Sequence, residues 1–211
     1  MAVLAAAVFA LIAAPASRAE TAPWFAQSVG NATQVISVVG VGGSSAKMDV
    51  WQRTAAGWQP IGAGIPAHVG SAGLTPQSKD GYPATPMGIF SLDYVFGTAS
   101  SPGGGLPYVQ VGPDDWWDGD PKSPTFNTHQ HCAKAQCHFD TSASENLDIP
   151  EYVHSVVMGV NTKERKPGNG AGFFLHASDG GPTAGCVSID DGTLVKIIQW
   201  LRPGALIAIS Q

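Results

Sequence analysis

The chain has 211 residues, 44% hydrophobic and only 13% charged, with 26 Gly, 16 Pro, 3 Cys and a formal net charge of −5. So few basic residues exclude an electrostatic nucleic-acid binder, which needs a cationic stripe to neutralise phosphates, and the apolar content excludes an acidic disordered chain. The length suits one domain with a single good core, and the odd cysteine count leaves one thiol that cannot pair within the chain. At the N-terminus, Ala2 to Ala16 is an apolar run without a charge. It is too short to span a bilayer and ends in the small residues Ser17 and Ala19 around Arg18, a pattern for cleavage after export, with Ala14 and Ala16 as a second option. A signal peptide would carry Lys or Arg after Met1 and none follows, so residues 1–19 are expected to be a signal peptide whose basic start lies upstream of Met1 or a retained N-terminal anchor, with a cytosolic amphipathic start as the alternative.

Beyond this segment the pattern is mainly β with a minor helical part. Strands are predicted at Gln34–Val41, Lys47–Arg53, Ile89–Val95, Tyr108–Val111, Tyr152–Val160 and Gly172–His176, each rich in β-branched or aromatic residues and bounded by Gly or Pro. Gly40 to Gly43 superficially suggests a nucleotide loop, but no helix pattern follows it and a turn between strands explains it better. Thr54 to Gly57 is a hairpin turn by composition. From about Gly97 to Pro150 regular signals are sparse. An irregular stretch that long inside one domain is expected to be a lid or binding element. Near the end, Leu194, Ile198 and Leu201 fall at helical spacing behind a capping Asp190 or Asp191, so one helix is predicted from Asp190 to Leu201. Pro203-Gly204 stops it, and Ala205–Ile209 forms a last strand.

Cys132 and Cys137 lie five apart in the irregular stretch, which in an exported chain suits a small local disulfide. His129, His131 and His138 flank them, so a metal cluster is a rival, although no second cluster of matching spacing exists; unpaired structural thiols are the third reading. Cys186 is the remaining thiol. Burial as a small hydrophobe would explain it, as an ordinary strand-end position would explain His176. Together they suggest more: a free thiol behind a glycine, just before a helix and ten residues after a histidine, has the parts of a nucleophile and its base. The helix N-terminus would help to lower the thiol pKa. No Gly-x-Ser-x-Gly elbow, His-Glu-x-x-His or Cys-x-x-Cys occurs, which removes three other enzyme classes.

Phe174-Leu175-His176 followed by Thr183-Ala184-Gly185-Cys186-Val187-Ser188 resembles the L,D-transpeptidase catalytic domain of bacterial cell-wall enzymes, the YkuD type. That family's pattern is a His, a variable loop, then Ser or Thr, any residue, Gly, Cys, and Ile or Val. A second block, Gly81 to Phe90 with Thr85-Pro86-Met87-Gly88, is similar to the family's strand entry, and Trp116 to Pro121 with Asn127 is similar to one branch of it. The chain departs from many members in Ala184 before the Gly-Cys, in Ser188 two residues after the Cys, in a shorter His-to-Cys loop, and in Ala177 where others carry Ser. The resemblance implies one β-rich YkuD-like domain over 34–211, with 97–150 as its lid, acting on peptidoglycan stem peptides without a cofactor or metal. It implies Cys186 as nucleophile and His176 as base, with Ala177 orienting the imidazole through its carbonyl. Thr183 and Gly185 would line the substrate site, and Trp116, Trp117 and Tyr108 are candidate walls of the lid, with ordinary packing of a long loop as the equal alternative. Amine attack on the thioester would make a cross-link, and water would make a carboxypeptidase; a non-catalytic wall-binding module is the alternative outside enzymology. Carbapenem-type inhibitors would be ligands, the location the periplasm, cell wall or exterior, and the protein a monomer.

Overall fold

The computed structural model describes residues 22–211, so the apolar N-terminal segment and its export reading lie outside the described residues. The chain is mainly β with one α-helix. Its first three strands, β1 (Gln34–Gly42), β2 (Ser45–Thr54) and β3 (Gly57–His68), form an antiparallel meander, with turns at Gly43-Ser44, at the end of the predicted Gly40 to Gly43 turn, and within the predicted Thr54 to Gly57. Two short strands follow, β4 (Leu74–Thr75) and β5 (Thr85–Pro86), paired parallel to each other. Then come β6 (Gly88–Gly97) and β7 (Tyr108–Gln110). The predicted strand at Ile89–Val95 therefore exists but is longer at both ends.

The stretch 97–150 is more ordered than its composition suggests. β8 (Asp115–Trp117) is sandwiched between β9 (His129–His131) and β10 (Glu145–Asn146) in a separate three-stranded sheet, and 3₁₀ turns occupy Lys134–Gln136 and Pro150–Tyr152. Two- and three-residue strands are too short for any periodicity to show, so this region looked irregular. Cys132 and Cys137 are joined in a disulfide across the first 3₁₀ turn. Among the described residues no group of His, Cys, Asp and Glu is arranged to hold a metal.

The second half supplies β11 (Ser155–Met158), β12 (Phe174–Ala177), β13 (Val187–Ile189), α1 (Asp191–Trp200) and β14 (Leu206–Ser210). Tyr152, read as the start of a strand, sits instead in the 3₁₀ turn before β11. Nine strands form one sheet in the order β11-β12-β13-β3-β2-β1-β14-β6-β7, and a further β11–β6 pairing closes it on itself like a barrel. β14 lies parallel to β1, and β12 parallel to β13. Asp190 caps α1 by accepting the Thr193 N–H at 2.9 Å, a bond of the kind worth about 1 kcal/mol. The helix buries Leu194, Ile197 and Ile198 against the sheet, with Leu201 buried just beyond its end.

Candidate active site

β11, β12 and β13 lie side by side, with Ser155 opposite His176 and His176 opposite Ser188. Residues paired across a sheet share a face, so His176 stands between two serines. All three are buried, and among the described residues neither serine hydroxyl has a hydrogen-bond partner. The His176 Nδ1 donates to the carbonyl of Ala177 at 2.7 Å. A carbonyl can only accept, so the Nδ1 carries the proton and a neutral ring presents a bare Nε2. The ring edge packs on Tyr152, with centroids 5.4 Å apart in a T-shaped arrangement. Burial holds the His176 pKa below its ordinary 6.5, against the Ala177 bond and the charges of Glu151 and Asp179.

Cys186 ends the turn that precedes β13. Its carbonyl accepts from Thr183 Oγ1 at 2.7 Å and from Thr85 Oγ1 at 3.1 Å, and Thr85 Oγ1 in turn accepts the Gly70 N–H at 2.8 Å. The turn needs glycine at 185, where φ is +145° and a β-carbon would meet the Phe173 ring at 3.0 Å and the Ala84 carbonyl at 3.2 Å. The Gly185 N–H is held by Thr183 Oγ1 at 3.1 Å. Among the described residues, the Cys186 N–H has no acceptor. The sulfur accepts the Phe174 N–H at 3.3 Å and donates to the Gly172 carbonyl at 3.5 Å.

The expected lowering of the thiol pKa is overturned. Burial, then the Glu145 charge, pushes the Cys186 thiol far above its ordinary value, against the Phe174 N–H and the Tyr152 hydroxyl. The helix N-terminus does not reach it: β13 intervenes, and the first turn of α1 carries Asp191, which meets His154 Nδ1 at 2.9 Å. Burial, the Glu145 charge and the bond to the Gly172 carbonyl favour the thiol over the thiolate at Cys186.

Both residues open onto a cleft of ≈ 560 Å³. One wall is Lys79–Pro83, anchored where the Asp80 carboxylate accepts the N–H groups of Gly168 and Gly170 at 2.7 and 2.8 Å. Another wall comes from the 97–150 stretch, through Trp117, Gly119, Phe126, Ser142–Glu145 and Ile149, and from Glu151-Tyr152 just after it. The rest of the expected lid does not line the cleft. Trp117 is placed there by Asn127, whose Oδ1 accepts the indole N–H at 2.8 Å and the Gly172 N–H at 3.1 Å. Thr183 and Gly185 also line the cleft, but the Thr183 hydroxyl is committed to the Cys186 carbonyl. Ala177 acts on His176 through its backbone. Tyr108 is a correction: it does not line the cleft, because its ring packs on the main core and its hydroxyl bonds the Ala99 carbonyl at the far end of β6.

Thr85, Asn127, Glu145 and Tyr152 are site residues that the sequence did not single out. Glu145 faces the cleft because β10 pairs it with Trp117, and its Oε1 accepts the Tyr152 hydroxyl. Thr85 and Asn127 do lie within the two blocks on which the resemblance rests, which was the available signal.

Comparison with curated proteins and with solved structures returns no match. The family model of the YkuD L,D-transpeptidase catalytic domain matches residues 46–209. That match runs from β2 to β14 and includes the Thr85 strand entry, His176 and the turn carrying Cys186. The chain belongs to the YkuD family of L,D-transpeptidase catalytic domains, enzymes of the peptidoglycan.

Proposed function

We propose that residues 34–211 form one catalytic domain that transfers acyl groups between peptidoglycan stem peptides through a thioester on Cys186. The observation that carries this reading is the opening of the Cys186 thiol and the bare Nε2 of His176 onto one cleft, with Nδ1 fixed by Ala177. Entry of the donor stem draws the thiol from its bonds to Phe174 and Gly172 toward Nε2, which takes its proton as general base. The thiolate attacks the carbonyl between an L-centre and D-alanine, and the imidazolium returns the proton to the departing amine. The Cys186 N–H, without an acceptor among the described residues, faces the developing oxyanion; a donor so placed is worth roughly 2.7–4 kcal/mol. A side-chain amine of a second stem then resolves the thioester into an L,D cross-link.

The protonated resting thiol fits a nucleophile that is ionised only in the presence of substrate. No metal or cofactor enters these steps. The protein works as a monomer outside the cytoplasm, where its disulfide would persist. Incubation with a carbapenem followed by intact-mass measurement tests the nucleophile. An adduct on the parent protein and none on Cys186→Ala is the expected result. No adduct on either, in fully reduced protein, overturns the reading and leaves a wall-binding module in its place.

A further inference from the structure

We propose that Glu145 is the acceptor-amine site of the cleft: its carboxylate receives the ammonium group of the incoming stem and takes a proton from it, which makes the amine a nucleophile. This rests on the thioester reading above. The argument starts from an unusual placement. In a chain with so few charges, a half-buried carboxylate lines the cleft with no Lys, Arg or His paired to it among the described residues. A carboxylate partly removed from water without a cationic partner is held at a cost, and a cation supplied by a ligand would offset that cost.

The two carboxylate oxygens differ. Oε1 is fixed by the Tyr152 hydroxyl, whose ring also packs against His176. Oε2 has no donor among the described residues and is not sealed from the cleft that Glu145 lines. It lies 3.5 Å from the point where a β-carbon on Gly172 would sit, and the carbonyl of Gly172 is what the Cys186 thiol bonds. A single glycine, with no side chain to block the approach, separates the free oxygen from the nucleophile. Asp80, Glu151 and Asp179 line the same cleft against one cation, Lys79, so the net field within it attracts a further cation. Burial and the Glu151 charge also hold the Glu145 carboxyl above the usual carboxylate range, despite the Tyr152 bond, which makes it a better base.

The steps balance. The ammonium gives one proton to Glu145, and the neutral amine attacks the thioester carbonyl. The C–N bond forms, the C–S bond breaks, and the second N–H proton passes through His176 Nε2 to the Cys186 sulfur. Glu145 then releases its proton to water.

The test is the partition of the thioester between amine and water, read as a ratio within each enzyme so that a general loss of activity cancels. Two acceptors are compared at neutral pH: a diaminopimelate-containing tripeptide, which arrives as an ammonium, and methoxyamine, which is already neutral. Glu145→Gln is expected to lower the amine-to-water ratio about tenfold or more with the tripeptide, and to leave the methoxyamine ratio unchanged. Tyr152→Phe, which removes the bond that holds Oε1 and so lets the carboxylate turn away from the approach past Gly172, should lower the tripeptide ratio by a smaller factor than Glu145→Gln, and serves as the test if Glu145→Gln does not fold. A thioester that forms while the tripeptide ratio stays constant, or falls in step with methoxyamine, overturns the acceptor assignment only. Failure of the parent protein to form a thioester overturns the function reading with it.

Discussion

Beneath the β1–β2–β14 face and α1, the core is packed with aliphatic side chains such as Ile36, Met48, Leu175, Ile189 and Leu194, whereas the cluster beneath the cleft sets Cys186 and Tyr152 among Phe96, Trp117 and Phe174. Aliphatic packing is non-directional, and its contribution scales with the apolar area removed from water. The second cluster is directional. Phe174 meets Phe96, Trp117 and Tyr152 edge-on, with centroids 5.0 to 5.4 Å apart, and Tyr152 passes the same geometry on to His176. Each polar tip then has a named partner: the Tyr152 hydroxyl on Glu145, the Trp117 indole on Asn127. The molecule thus separates a region that holds the chain folded from one that holds functional groups at fixed angles.

Substitutions that strike one region and spare the other test this separation. The largest effect belongs to the cleft. His176→Ala should slow acylation of Cys186 by a donor peptide by ~10²–10⁴-fold, with a comparatively small change in melting temperature. In the parent, the rate should hold on acidification until the pH is below 6.5, because burial keeps the imidazole neutral. A large loss of stability with an intact rate per folded molecule would break the comparison. Leu194→Ala, in the aliphatic core, should do the reverse. It should cost about 2–5 kcal/mol in denaturant unfolding and leave acylation per folded molecule as it was.

The smallest effect sharpens the boundary. Glu145 has a raised folded-state pKa, so its contribution to stability is fully present below the unfolded value of 4.5 and is lost as pH rises through the folded one. Glu145→Gln does not titrate. Its melting temperature relative to the parent should therefore increase from about pH 4 to about pH 8. A difference that is flat with pH would mean that the carboxylate is not held at a cost within the cleft.

What could be read from sequence follows from the range over which each signal acts. β1, β2, β6 and α1 carry local patterns long enough to recognise, and Asp190 marks the start of the helix as a capping residue should. β3 was not identified as a strand because Pro60, Gly62, Gly64 and Pro66 interrupt it, and the β2–β3 register shifts twice along this stretch. β13 has only three residues. In the cleft, His176 and Cys186 are visible because they lie ten residues apart with Gly185 directly before the cysteine. Thr85 meets the Cys186 carbonyl across 101 residues, and Asn127 meets Gly172 across 45. No local pattern encodes contacts of that range; the closed sheet creates them. Glu145 was hidden for the same reason, being turned into the cleft only by the pairing of β10 with β8.

The hydrogen bonds of the Cys186 sulfur also bear on how long the protein survives. Peroxides and foreign disulfides react with thiolates, so a thiol that is kept protonated is chemically quiet toward both. The chain carries one bridge, between Cys132 and Cys137, and a third sulfur that ionised freely would be able to attack it and reshuffle the pairing. Bonded between Phe174 and Gly172 as a thiol, Cys186 is a slow partner in that exchange.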